Sequence, residues 1–164
     1  MAWTAPRTWV TAELVTAALM NTHVRDNLKE LYHLIGSFGG SDYSVSPELT
    51  WNLMLAVGPV TVAGNPVYVE VAARMVSWAA GDGGGKIGIW DSGNTTELKR
   101  LWQRDDTFGT TTGTSTGGFR NWYEVTPSAG SITWNIRGNP ENGTGGDSLS
   151  AWGLRVRVWE KGGP

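Results

Sequence analysis

The chain has 164 residues and a formal net charge of −2 at pH 7, so it lacks the basic surplus that gripping a phosphate backbone requires, which argues against a nucleic-acid partner. It contains no cysteine, which excludes disulfide frameworks, thiolate zinc sites and thiol nucleophiles. With 40% hydrophobic and 17% charged residues, 23 glycines and 10 tryptophans, the composition is that of short strands and tight turns around one core.

The first element in chain order is the only stretch with helical periodicity, Trp9 to Leu34. In a heptad frame Val10, Leu14, Ala17, Asn21, Val24, Leu28, Leu31 and Ile35 fall in turn on the two seam positions. Asn21 is the single polar member. That is the pattern of a short self-associating helix, in which a buried Asn fixes register and strand number at some cost in stability. The alternative is an amphipathic helix that packs on the chain's own β-region, because isolated short helices are marginal in water. The start of the helix also has two readings. Thr11 caps it, with Glu13 near the positive end of the dipole, or Thr16 caps a shorter helix whose seam begins at Ala17. Ahead of it, Trp3 and Trp9 with Pro6 between them read as an arm that docks on another protein. The first seven residues lack the basic and apolar regions of a signal peptide, and no apolar run reaches the length of a membrane span. A protein made in the cytoplasm, with no membrane span, is expected.

Three regions follow from this: residues 1–35 as arm and helix, 36–47 as a flexible linker rich in Gly and Ser, and 48–164 as a β-head. In the head, Leu53, Leu55 and Val57 alternate as on a half-buried strand. Val67, Val69, Val71 and Ala73 form one face of the next segment, with Tyr68, Glu70 and Arg74 opposite. Ile87 and Ile89 share a face in a short strand. Segments 119–125 and 132–136 are joined by a turn around Pro127 and Gly130. The last strand alternates Trp152, Leu154, Val156 and Val158 against Gly153, Arg155, Arg157 and Trp159, so a one-residue slip would bury both arginines. Residues 104–118 and 138–150 read as loops, and loops of that length are mobile or functional. Strands without intervening helices exclude a parallel α/β fold. The fold class expected is mainly β: an N-terminal α-helix followed by an antiparallel, jelly-roll-like β-sandwich.

Reaction chemistry is thin. Gly83 to Gly88 matches a dinucleotide fingerprint as a string but has no helix to receive a pyrophosphate. His23 and His33 lie ten residues apart on the helix, which is not the spacing of a zinc pair or a triad. Asp82, Asp91, Asp105 and Asp106 read as turn-forming, solvated carboxylates and not as a glycosidase pair. The expectation is no catalytic residue, no metal and no cofactor.

The tryptophans are the compositional oddity. Trp134 and Trp152 share faces with aliphatic residues and read as packing. Trp90, Trp122 and Trp159 fall on the opposite faces of their strands, where they line a subunit interface or stack on sugar rings.

The run Trp9-Val10-Thr11-Ala12-Glu13-Leu14-Val15-Thr16-Ala17-Ala18-Leu19-Met20-Asn21-Thr22-His23-Val24-Arg25-Asp26-Asn27-Leu28 resembles the N-terminal segment of many tailed-bacteriophage virion proteins, in which it precedes fibre, collar or head-like β-domains. The segment Val125-Thr126-Pro127-Ser128-Ala129-Gly130-Ser131-Ile132-Thr133-Trp134 resembles the late strand-turn-strand of trimeric jelly-roll heads of the tumour-necrosis-factor-like type. A Gly-rich loop at Gly143 to Gly146 and a final strand at Leu154 to Trp159 fit the same order. The resemblance implies a non-enzymatic virion structural protein, a homotrimeric tail-fibre, head-fibre, spike or decoration component. Its partners would be its own copies and other virion proteins. The alternative is a host-adhesion module that binds surface glycans through Trp and loop residues.

Overall fold

The computed structural model describes residues 16–17, 32–46, 50–79, 84–104, 114–141 and 148–162. Among the described residues there are eight strands: β1 (Tyr32–Val45), β2 (Asn52–Val62), β3 (Val67–Ala79), β4 (Gly85–Asp91), β5 (Glu97–Arg104), β6 (Thr114–Val125), β7 (Gly130–Pro140) and β8 (Ser148–Lys161). They make two four-stranded antiparallel sheets, the first in the order β1-β8-β3-β6 and the second in the order β2-β7-β4-β5. Every connection except β4–β5 passes from one sheet to the other, which is the strand order of a jelly roll.

The core lies between the sheets. Val67, Val69 and Val71 of β3 and Leu154, Val156 and Val158 of β8 point inward from the first sheet. Val57, Val60, Ile87, Ile89, Trp134 and Ile136 meet them from the second. β-branched side chains fit a pleated, two-layer interior, and each one fully buried contributes about 1.5–3 kcal/mol relative to exposure. The alternation read in β3, the Ile87–Ile89 pair and buried Trp134 are all found as expected.

The first sheet bends along a line through its four strands. Inward positions in β3 pass from Val71 and Ala73 to Val76 and Trp78, and in β8 from Leu154 to Ala151 and Leu149. Both strands change phase together, because Ala72 faces Arg155 and Met75 faces Trp152 across the ladder. Gly153 takes φ +62° at this point, a left-handed conformation that other L-residues adopt at a cost. On β6, Gly118 packs so closely on the carbonyls of Ala73 and Arg74 that there is no room for a Cβ. On β1, Gly39 lies beside Leu154 and Arg155. One consequence is that Trp152, expected inside, stands outside at 40% exposure with its Nε1 donating to Ser77 Oγ at 2.8 Å.

Further expectations are corrected in β1 and β2. Residues 36–45 are not a linker, and Ile35 is not a helical seam position, because both belong to β1, which pairs along its length with β8. Register irregularities between Leu34 and Gly36, Gly39 and Ser41, and Ser41 and Tyr43 absorb the glycines that make the segment look like a tether. Ile35, Phe38 and Tyr43 still pack on the core. His33 accordingly sits in this strand, opposite Glu160. In β2, irregularities between Leu53 and Leu55 and between Val57 and Val60 place Met54, Val57, Val60 and Val62 inside, and leave Leu53 at 52% exposure.

The arm residues Trp3, Pro6 and Trp9 and the seam residues Val10, Leu14, Asn21, Val24, Leu28 and Leu31 lie outside the described residues, as do Asp82, Asp105 and Asp106. Ala17 is described and is exposed. β6 and β8 begin within the segments read as loops, leaving 105–113 and 142–147 outside the described residues.

Candidate binding face

The outer face of the first sheet is laid out in rows by strand register. Leu34, Trp159, Tyr68 and Glu124 make one row, and Ser37, Arg157, Glu70 and Trp122 the next. The third is Gly39, Arg155, Ala72 and Arg120. These side chains point outward because their neighbours Val67, Val69, Val71, Val156 and Val158 are committed to the core.

Four aromatic rings border a groove of about 630 Å³ on this face, Tyr32, Tyr68, Trp122 and Trp159, with Glu70 and Arg120 beside them. Tyr32 and Tyr68 meet edge to face with centroids 4.6 Å apart and planes at 69°. The Tyr68 hydroxyl is hydrogen-bonded to the Glu124 carboxylate, and that bond, together with desolvation and the charge of Glu124, raises its pKa above the ordinary phenol value. Desolvation, then the charge of Glu124, raises Tyr32 in the same direction.

Trp122 is 53% exposed, the most open of the large hydrophobic side chains among the described residues. Its backbone is nonetheless pinned. Its N–H donates to Asn121 Oδ1 at 2.8 Å, and Asn121 Nδ2 donates to the Leu101 carbonyl of β5 at 2.9 Å. Lys99 Nζ donates to the Trp122 carbonyl at 2.6 Å and lies 5.8 Å from the ring centroid. Glu70 pairs through Oε2 with Arg120, while its buried Oε1 has no hydrogen-bond partner. Next to the groove is a second concavity of about 540 Å³, where Arg74, Arg120 and Arg155 stand around Ala72, Gly40 and Gly153.

Of the outward tryptophans, the structure brings Trp122 and Trp159 together and leaves Trp90 on the other sheet. There Trp90 packs on Trp51 at 5.2 Å, with Arg137 over its ring and Arg100 over that of Trp51. The sequence reading missed Tyr32, Glu70, Arg120 and Arg155 as members of this face. Glu70 and Arg155 were legible as outward positions of their strands, whereas Tyr32 was hidden in a segment read as helix. Asp91, read as turn-forming, is so: its carboxylate accepts from the Thr95 hydroxyl at 2.6 Å and from the N–H groups of Thr95 and Thr96 at 2.8 and 3.0 Å.

Among the described residues no cluster of three His, Asp or Glu side chains is placed to hold a metal, and no helix is long and apolar enough to cross a membrane.

No protein-family profile matches the chain, and no curated protein does. Among solved structures it is similar to a chain of infectious bursal disease virus Gt strain, with 13% identity and TM-score 0.42 over 80% of this chain and 32% of that one. A chain of the Gx strain of the same virus gives 12% identity and TM-score 0.36 over 80% and 36%. The carbohydrate-binding module CBM6cm-2 from Cellvibrio mixtus lichenase 5A, in complex with cellotriose, gives 18% identity and TM-score 0.34 over 77% and 97%. This chain thus spans about a third of each viral chain.

Proposed function

We propose that this chain is a non-enzymatic virion structural protein, a homotrimeric fibre, spike or decoration component of a tailed bacteriophage. It attaches through the arm at Trp3, Pro6 and Trp9 and the helix behind it, and projects a β-sandwich head. The observation that carries this reading is the amino-acid sequence from Trp9 to Leu28 standing shortly before a two-sheet sandwich whose first described strand begins at Tyr32. An attachment segment joined to a compact β-head is the build of a displayed part. The test is absolute mass by light scattering on the full chain and on Leu28→Asp, which puts a charge into the seam. A trimer that dissociates in the variant while the head stays folded supports assembly through the helix. A monomer in both removes the trimer from the reading.

A second reading, a carbohydrate-binding adhesion module, is favoured by one observation: four aromatic rings border an open groove that also holds Glu70 and Arg120. Flat apolar rings beside charged hydrogen-bonding groups are what a sugar ring needs, one surface for its C–H face and another for its hydroxyls. A glycan array on the full chain tests it. Absence of any hit, together with tight binding to purified virion components, leaves the structural role alone.

A further inference from the structure

We propose that the outer face of the first sheet takes an acidic polysaccharide, with sugar rings on Trp122 and Trp159 and the anionic substituents in the bay of Arg74, Arg120 and Arg155. The proposal rests on the carbohydrate-binding reading of this face and names the chemistry of its ligand.

The two concavities are neighbours, and Arg120 borders both. The row holding Trp122 and the row holding Arg120 and Arg155 are consecutive outward rows, about 7 Å apart along the strands. A ring stacked on Trp122 therefore carries its substituents to the arginines without leaving the sheet. Small residues, Gly40, Ala72, Ala73 and Gly153, make up most of the lining between the guanidinium groups, together with Phe119 and with the Arg74 side chain lying over Gly153. The bend that requires a glycine at 153 is also what opens this space.

The charges fit an anion. Arg155 is exposed and is in no ion pair among the described residues. Arg74 is 79% exposed and only 4.0 Å at nearest from Asp42, whose Oδ1 already accepts the Gly153 N–H at 2.7 Å. Arg120 is held by Glu70, and Arg157 stands across the ladder from Glu70 as well. In a chain of net charge −2, this face carries a local excess of cations, and planar guanidinium forks suit carboxylate or sulfate groups.

The carboxylates on the face distinguish a polyhydroxy ligand from its competitors. Glu70 Oε1 is an acceptor without a donor. A sugar hydroxyl entering between Trp122 and Trp159 supplies one, whereas a phosphodiester chain offers few hydroxyls; the carboxylates of Asp42, Glu70 and Glu124 repel either polyanion alike, so the hydroxyls and not the charge favour the sugar. A two-fold copy of this chain on the same face would set arginines against arginines.

The test uses the full chain and two polymer pairs that differ only in charge: polygalacturonate with its fully methyl-esterified form, and dextran sulfate with dextran. Titration calorimetry is expected to give at least one acidic member a Kd about tenfold or more below that of its neutral partner. Arg155→Gln removes much of that preference, and Trp122→Ala weakens the acidic polymer as well, both with an unchanged thermal midpoint. Equal binding of both members of each pair overturns the acidic ligand and leaves the carbohydrate reading standing. No binding to any of the four overturns both. Binding that falls with Arg155→Gln but is untouched by Trp122→Ala is plain charge attraction and overturns the proposal. So does tighter binding of a single-stranded oligonucleotide, or an oligomer that Trp122→Ala dissociates in a protein that binds no polymer.

Discussion

Glu160, near the end of the last strand, closes the turn between β2 and β3. Its Oε1 accepts the N–H of Ala63 at 2.7 Å and that of Asn65 at 3.3 Å, although the two segments are nearly a hundred residues apart in sequence. The Lys161 N–H donates to the Pro66 carbonyl at 2.9 Å beside it. Glu160 is only 4% exposed, so its carboxylate is tolerated inside by what it binds. Replacing Glu160 by Ala leaves two part-buried N–H donors without their charged acceptor, and an expected loss of about 1–3 kcal/mol should appear in urea unfolding. Glu160→Gln keeps one acceptor oxygen and is expected to lose less.

The register of β2 gives a sharper test, because alternation and structure disagree there. Met54→Ala empties a core position and is expected to cost about 2–5 kcal/mol. Leu53→Ala, at a site 52% exposed, should fall within about 0.5 kcal/mol of the parent. Equal losses at the two sites would mean that the irregularity between Leu53 and Leu55 is absent.

Gly153→Ala tests the bend. A Cβ there is strained at φ +62° and meets Arg74 Nε at 2.5 Å, so a loss of about 1–2 kcal/mol is expected from the left-handed backbone alone. Arg74→Ala removes the steric part only, and should leave most of that loss in the double variant. Thermal unfolding of the three variants separates the two contributions.

Two turns in stability with pH follow from hydrogen bonds. The Thr95 hydroxyl, with the N–H groups of Thr96 and Thr95, holds the Asp91 carboxyl below its ordinary 3.8. The stability it contributes is therefore present above 3.8 and is lost as pH falls through the lower folded value. Asp91→Asn should show a flatter acid limb in unfolding experiments. Tyr68 is shifted upward from 10.0, chiefly by its bond to Glu124, so its contribution holds below that pH and is lost as pH rises through the folded value. Phenolate absorbance should show late-titrating tyrosines in the parent, of which Tyr68 moves back toward the ordinary range in Glu124→Gln while Tyr123, raised by desolvation, stays late.

A chain beginning at Leu31 retains all of β1 and is expected to melt cooperatively. A chain beginning at Ser46 lacks β1, strips β8 of its outer partner and uncovers the core beside Ile35, Phe38 and Tyr43. It should be unfolded or aggregated by circular dichroism and size exclusion. A folded Ser46 chain would restore the boundary read from the Gly-Ser composition.

Legibility from sequence followed the regularity of each strand. In β3, five alternating residues from Val67 to Val71 sufficed to place Tyr68 and Glu70 outside, because no irregularity interrupts the ladder there. In β1 the glycines that permit bulges are the ones that make a segment read as linker, so Tyr32 and the whole strand were missed. Trp152 was misplaced by one phase change at Gly153. Trp122 and Trp159 were legible as outward, but not as neighbours of each other or as strangers to Trp90. Which strands share a sheet is decided by pairings between residues far apart in sequence, and local alternation carries none of that information.

Among the described residues, each border strand of the two sheets carries its own obstacle to further pairing. β1 has Gly39 and Gly40 with its irregular register, β2 has Pro59 without an N–H, β5 has the run Glu97 to Arg104 with its charges, and β6 has Gly117 and Gly118. Charges, proline and bulges are the devices that stop one sheet from extending into another. Among the described residues the rims of the sandwich are therefore blunted against edge-to-edge extension, and the broad outer faces of its sheets are the surfaces left open.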